Sequence, residues 1–146
     1  MNRDQFIKTC GWGCLGVFGM IPLLESCTST KYLTGTLEGA FLELPLNAFE
    51  YIKKEELRFR AYVVVQNSAL QHPICLYRLS ATEYKALLMK CTHQGTELQV
   101  YGDRLQCPAH GSEFTKNGTV QNGPAETNLR QFPVHIEADK LKINLA

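Results

Sequence analysis

The stretch Cys91-Thr92-His93-Gln94-Gly95, followed after a spacer by Cys107-Pro108-Ala109-His110-Gly111-Ser112, decides how the rest of the chain is read. Cys and His arrive as two matched pairs, and each pair is followed by Gly. Thiolate and imidazole are both transition-metal ligands, so this repetition at short spacing marks a metal site. Thirteen residues separate His93 from Cys107. Within them Leu98-Gln99-Val100-Tyr101 and Arg104-Leu105-Gln106-Cys107 flank Gly102-Asp103, a two-residue turn between alternating segments. The spacer is thus predicted to be a hairpin.

Working outward, short apolar or alternating segments recur on both sides. Upstream are Phe41-Leu42-Glu43-Leu44 ending at Pro45, Arg58 to Val65 ending at Gln66-Asn67-Ser68, and Ile74 to Leu79 following Pro73. Each is of strand length and rich in β-branched or aromatic residues. Tyr84 to Lys90 leads straight into Cys91 and reads as a strand after a short turn. Downstream, Ser112-Glu113-Phe114 and Gly118-Thr119-Val120 predict a hairpin around Lys116-Asn117. Phe132 to Glu137 and Lys140 to Leu145 predict another across Ala138-Asp139. No stretch sustains a long 3.6-residue period, so the domain is mainly β, a small antiparallel barrel or sandwich.

The 146 residues allow one domain and at most a terminal appendage. A hydrophobic fraction of 45% and a charged fraction of 20% are those of a folded protein. A net charge of +1 without basic runs gives no footprint for nucleic acid. Of the six cysteines, only Cys91 and Cys107 have His at ligand spacing, so a disulfide framework is a poor reading. Cys75 sits in an apolar strand and reads as a small buried hydrophobe, and His72 and His135 read as structural. Lys53-Lys54-Glu55-Glu56 reads as a solvated loop or short turn.

The first segment reads as an address. Thr9 to Leu24 is uncharged and follows Arg3 and Lys8. As a helix it rises only about 24 Å, less than the roughly 30 Å of a bilayer core. A basic start, a short apolar stretch and a small residue at its end fit a signal peptide over residues 1–26. Leu24-Glu25-Ser26-Cys27 resembles a bacterial lipoprotein signal, with Cys27 the acylated residue, although Glu25 departs from the pattern. Asn2-Arg3-Asp4 resembles a twin-arginine signal with its second Arg replaced by Asp4, which leaves the export route open. Residues 27–40 are small and polar and are expected to be a tether, with the domain over 41–146.

The form C-x-H, then C-x-x-H-G-S, resembles the binding sequence of Rieske [2Fe-2S] proteins, with Gly123-Pro124-Ala125 similar to the third loop that covers their cluster. That resemblance implies a Rieske-like fold with a cluster-binding subdomain of two loops, and one [2Fe-2S] cluster per chain. Cys91 and Cys107 would hold one iron and His93 and His110 the other. Gly95, Pro108, Gly111, Ser112, Gly123 and Pro124 would shape the surround, with Ser112 donating to a sulfide. The chain departs from respiratory Rieske subunits at Thr96 and Ala109, where they carry a disulfide, and at Phe114, where they carry a Tyr hydroxyl. The implied activity is one-electron transfer by an exported, membrane-anchored carrier serving a redox protein or membrane complex. The alternative is a subunit of a larger quinol-oxidising or oxygenase complex. A structural Cys₂His₂ zinc site is the competing reading of the four ligands.

Overall fold

A computed structural model describes residues 30–146, all of which belong to a β domain with one short 3-10 turn. The strands are β1 (Tyr32–Thr34), β2 (Thr36–Glu38), β3 (Phe41–Pro45), β4 (Glu50–Lys53), β5 (Glu56–Phe59), β6 (Tyr62–Gln66), β7 (Ile74–Arg78) and β8 (Tyr84–Leu88). They continue with β9 (Gln99–Tyr101), β10 (Arg104–Gln106), β11 (Glu113–Thr115), β12 (Val120–Asn122), β13 (Gln131–Phe132), β14 (Val134–Glu137) and β15 (Lys140–Asn144).

A five-stranded sheet in the order β1-β6-β7-β8-β13 forms the centre, and apolar side chains cover both of its faces. Successive strand side chains point to opposite faces. Val63 and Val65 of β6, Ile74 and Leu76 of β7 and Ala86 of β8 therefore enter one core, with Leu42, Leu44, Leu141 and Ile143 of the β14-β15-β3-β2 sheet. Val64, Cys75, Tyr77 and Leu87 point the other way, into a core shared with Leu105 and Phe114 of the β12-β11-β10-β9 sheet. The unbroken apolar run Tyr62-Val63-Val64-Val65 is thus explained by two-sided burial. Sliding β6 by one residue against its neighbours would exchange its contributions to the two cores, so the register is tightly specified.

The expected hairpins across Gly102-Asp103 and Ala138-Asp139 are present, with Tyr101 opposite Arg104 and Glu137 opposite Lys140. The hairpin around Lys116-Asn117 is present with a bulge between Glu113 and Phe114. Two expectations change. In its described part, the tether expected over 27–40 is largely strand: β1 runs parallel to β6 and β2 pairs with β3. Leu33 and Leu37 pack against the core that holds Leu42, Val63 and Ile143, and those two apolar anchors distinguish this segment from a linker. The strand expected over Arg58 to Val65 breaks at Arg60-Ala61, because β5 turns back on β4 instead. Lys53-Lys54-Glu55-Glu56 is the closing turn of that hairpin, with Lys54 and Glu55 at φ 54° and 64°. Without Gly or Asn it carries no sequence signature of a tight turn.

The signal peptide expected over residues 1–26 and the acylation expected at Cys27 lie outside the described residues. Among the described residues no helix is long and apolar enough to cross a membrane.

Candidate metal centre

Strand alternation aims the two thiols inward. Leu87, Met89 and Cys91 are spaced by two and all join the core beneath the loops, and Leu105 and Cys107 repeat the pattern from β10. Cys91 and Cys107 are each only 1% exposed, whereas His93 and His110, one short step further along their loops, are exposed. The two imidazoles meet edge to face, with ring centroids 5.0 Å apart and planes at 88°. The structure therefore brings all four sequence-predicted ligands to one end of the domain, with sulfur inside and nitrogen outside.

The two loops share one hydrogen-bond plan despite their different spacing. The Gly95 N–H donates to Cys91 O at 2.8 Å, and the Gly111 N–H to Cys107 O at 3.0 Å. The Cys91 N–H donates to Thr96 O and the Cys107 N–H to Ser112 O, both at 2.8 Å. Gly thus stands four residues after Cys in both loops, while His stands two after it in the first and three in the second. Closing each turn needs a left-handed residue, and Gly95 and Gly111 supply it at φ 78° and 77°. Pro108 lies in the second loop, exposed between Cys107 and His110.

The third loop is fastened to the other two. Ser112 is fully buried, and its Oγ accepts the Ala125 N–H at 3.0 Å, which leaves the hydroxyl hydrogen free to donate. Asn122 Nδ2 donates to Gly111 O at 3.3 Å, and Thr92 Oγ1 donates to Thr127 O at 2.6 Å. Gly123-Pro124, a cis peptide, lies within the segment these bonds hold down. Thr92 and Thr127 were not singled out from the sequence, because a hydroxyl bonding a carbonyl 35 residues away has no local signature.

Burial pushes the Cys107 thiol up. The N–H groups of His110 and Ala109, aided by the Cys91 and Thr96 side chains, outweigh burial and hold it below the ordinary thiol range. Backbone N–H groups directed at sulfur favour the anionic form that binds a metal. Thr96 is a third residue the sequence did not single out as a contributor, although it holds the same place in its loop as Ser112 does in the other. At Cys75, in the same core, burial outweighs the opposing Tyr77 side chain and raises the thiol to about 12. It remains a neutral core residue, as its apolar strand implied. Phe114 is fully buried in the same core, with no polar atom to offer the site.

Buried thiols beneath exposed imidazoles, carried by two like loops on a small β domain, are a donor set whose chemistry fits a transition-metal centre. The family model for the Rieske [2Fe-2S] domain matches residues 47–133, and the chain belongs to that family. Membership brings a Rieske-type [2Fe-2S] cluster.

The cytochrome b6-f complex iron-sulfur subunit of Chlorobaculum tepidum is 34% identical over 58 residues, covering 38% of this chain and 32% of that protein. The oxygenase component of dicamba O-demethylase from Stenotrophomonas maltophilia is 37% identical over 82 residues, covering 49% of this chain and 24% of that protein. The chain thus spans a third or less of the length of these two curated relatives. The plasma membrane Rieske protein of Synechocystis PCC 6803 superposes with a TM-score of 0.50 at 22% identity, covering 57% of this chain and 85% of that one. That likeness concerns the fold.

Proposed function

We propose that the chain is a one-electron carrier in which Cys91 and Cys107 hold one iron of the cluster and His93 and His110 the other. The observation that carries this reading is the division between thiols 1% exposed and imidazoles open to solvent. An electron reaching the buried half has its short way out through the exposed half. Two ferric ions, two sulfides and two thiolates sum to zero charge, so the bound group accepts an electron more readily than an anionic four-thiolate cluster. The residues of the chain then bind, orient and shield. The core beneath Cys91 and Cys107 excludes water, Gly95 and Gly111 shape the turns, and Ser112 offers its hydroxyl hydrogen toward the sulfide side. Pro108, Gly123 and Pro124 stiffen the surrounding loops.

Among the described residues no three His, Cys, Asp or Glu side chains converge as a single ion requires. The family match favours a two-iron cluster over one tetrahedral Zn²⁺. The domain is delivered outside the cytoplasm by residues 1–26 and held to the membrane by acylated Cys27, a reading supported by the basic and apolar pattern of that segment. Its partner is a redox protein or a membrane complex. A second reading, a subunit of a quinol-oxidising or oxygenase complex, is favoured by the kinds of protein to which the curated relatives belong.

Iron and sulfide analysis with EPR of the dithionite-reduced protein tests the centre. The expected result is two irons and two sulfides per chain and nitrogen couplings that disappear when both His93 and His110 are replaced by Cys. A colourless protein carrying zinc and no sulfide would overturn the assignment. Cluster oxidation by a soluble redox protein without membrane components supports the carrier, and co-purification with a membrane complex supports the subunit.

A further inference from the structure

The surface on the two sides of the metal centre is not alike. Beside His93 lies an open groove of about 660 Å³, running from the first loop past Lys90 and Arg130 to His72. Among the described residues no carboxylate lines it. Lys90 and Arg130 are exposed and, among the described residues, join no ion pair. Lys90 stands opposite Glu97 in an isolated bridge, yet the two make no ion pair. Arg130 is fixed in place, with its guanidinium 4.7 Å from the centre of the Phe132 ring and Nη2 donating to Leu145 O at 3.2 Å. At the far end the buried Nδ1 of His72 has no hydrogen-bond partner among the described residues.

An open groove with two cationic groups, one of them held in place, and no carboxylate among its described lining residues favours an anionic occupant. A volume of about 660 Å³ far exceeds what a single small ion fills and suits a segment of chain. We propose that this groove seats an acidic segment of the protein redox partner, so that the electron crosses at the His93 edge. The proposal rests on the reading that His93 holds the cluster, and it adds which face is used and by what chemistry. In the transfer itself, one electron leaves a cluster with one ferrous and one ferric ion, which becomes diferric, and the oxidant gains that electron.

Stopped-flow oxidation of the reduced full-length protein tests this, with ferricyanide as the anionic oxidant and tris(phenanthroline)cobalt(III) as the cationic one. Each is reduced by one electron. The variants are Lys90→Glu and Arg130→Gln at the groove, with Lys53→Glu on the distant β4–β5 hairpin as a control for net charge. At low salt Lys90→Glu and Arg130→Gln should slow ferricyanide by roughly tenfold and threefold and should speed the cobalt complex. The differences should fade near 1 M salt, where the screening length is only about 3 Å. Lys53→Glu should change either rate by less than about twofold. A short polyglutamate peptide should compete with ferricyanide, and inorganic phosphate at equal charge concentration should not.

Equal effects of Lys53→Glu and Lys90→Glu would overturn the proposal, as would unchanged rates in both groove variants. So would competition by phosphate as strong as by polyglutamate, since that would mark a small-anion site. Visible and EPR spectra of every sample separate the two levels. A wild-type protein without the cluster signal overturns the Rieske reading and the groove's role with it, whereas normal spectra with unaltered rates overturn the groove alone.

Discussion

Replacing Ser112 by Ala removes one oxygen from a fully buried position, and the structure fixes two separable consequences. The first is structural. Ser112 Oγ accepts the Ala125 N–H at 3.0 Å, and Ala125 is itself buried. Without that oxygen the donor is left unsatisfied, which costs about 1–3 kcal/mol. The third loop loses this tie to the second, and among the described residues the longer side-chain bond from Asn122 to Gly111, 3.3 Å, remains beside the strand pairing. The second consequence is electronic. A hydroxyl donating to cluster sulfur binds the reduced, more negative state more strongly, by about 1–2 kcal/mol for a charge-assisted bond. At 59 mV per tenfold for a one-electron couple, losing that bond in Ser112→Ala lowers the reduction potential by about 40–85 mV. Protein-film voltammetry reads the potential, and urea unfolding of the cluster-loaded protein reads the stability. A fully loaded Ser112→Ala protein whose potential matches wild type would falsify the donor role. An unchanged unfolding midpoint would refute the strut. Because the two readouts depend on different atoms, the hydrogen and the lone pair, either can fail alone.

Two further outcomes follow from geometry elsewhere. Gly111 is at φ 77° with open space where a Cβ would stand. Gly111→Ala should therefore lower stability by about 1–2 kcal/mol through backbone strain alone, and Gly111→Asn by less, because Asn tolerates this conformation; equal urea midpoints for the Gly and Ala proteins would contradict this. Glu43 binds Lys140 at 2.8 Å and Lys142 at 3.3 Å. The hydrogen bond from Lys140, opposed by burial and reinforced by Lys142, holds its carboxyl below the ordinary 4.5. A depressed folded value means that the contribution is present above that ordinary value and is lost as pH falls through the folded one. The stability difference between wild type and Glu43→Gln should accordingly be flat near neutrality and shrink with acid, and a difference independent of pH down to 2 would refute the pairing.

The departures between expectation and structure share a physical cause. The hairpin across Gly102-Asp103 was readable because its turn residues and the alternation beside them are local properties. The β4–β5 hairpin was not, since Lys54 and Glu55 take left-handed conformations that their sequence does not advertise. Its strands are mostly exposed, so burial imposes no pattern on them. Strands β1 and β2 escaped notice for a similar reason. The partner of β1, β6, lies far along the chain, whereas β2 folds back on the adjoining β3 across Gly39-Ala40 within a segment whose small and polar residues read as a linker.

The sequence by itself determined the mainly β class and singled out the candidate ligands in their order, because metal preference and strand alternation are written in residue identity and spacing. It also carried the two glycines that make the ligand turns. Tertiary structure alone decided that sulfur faces the core and nitrogen the solvent, because inward and outward exist only once β8 and β10 have a layer on which to pack. It equally decided that Thr92 and Ser112 fasten the third loop, and that Lys90, Arg130 and His72 share a groove beside His93. Those contacts join residues far apart in the chain, and only the packing of the sheets brings them within hydrogen-bonding or Coulombic reach.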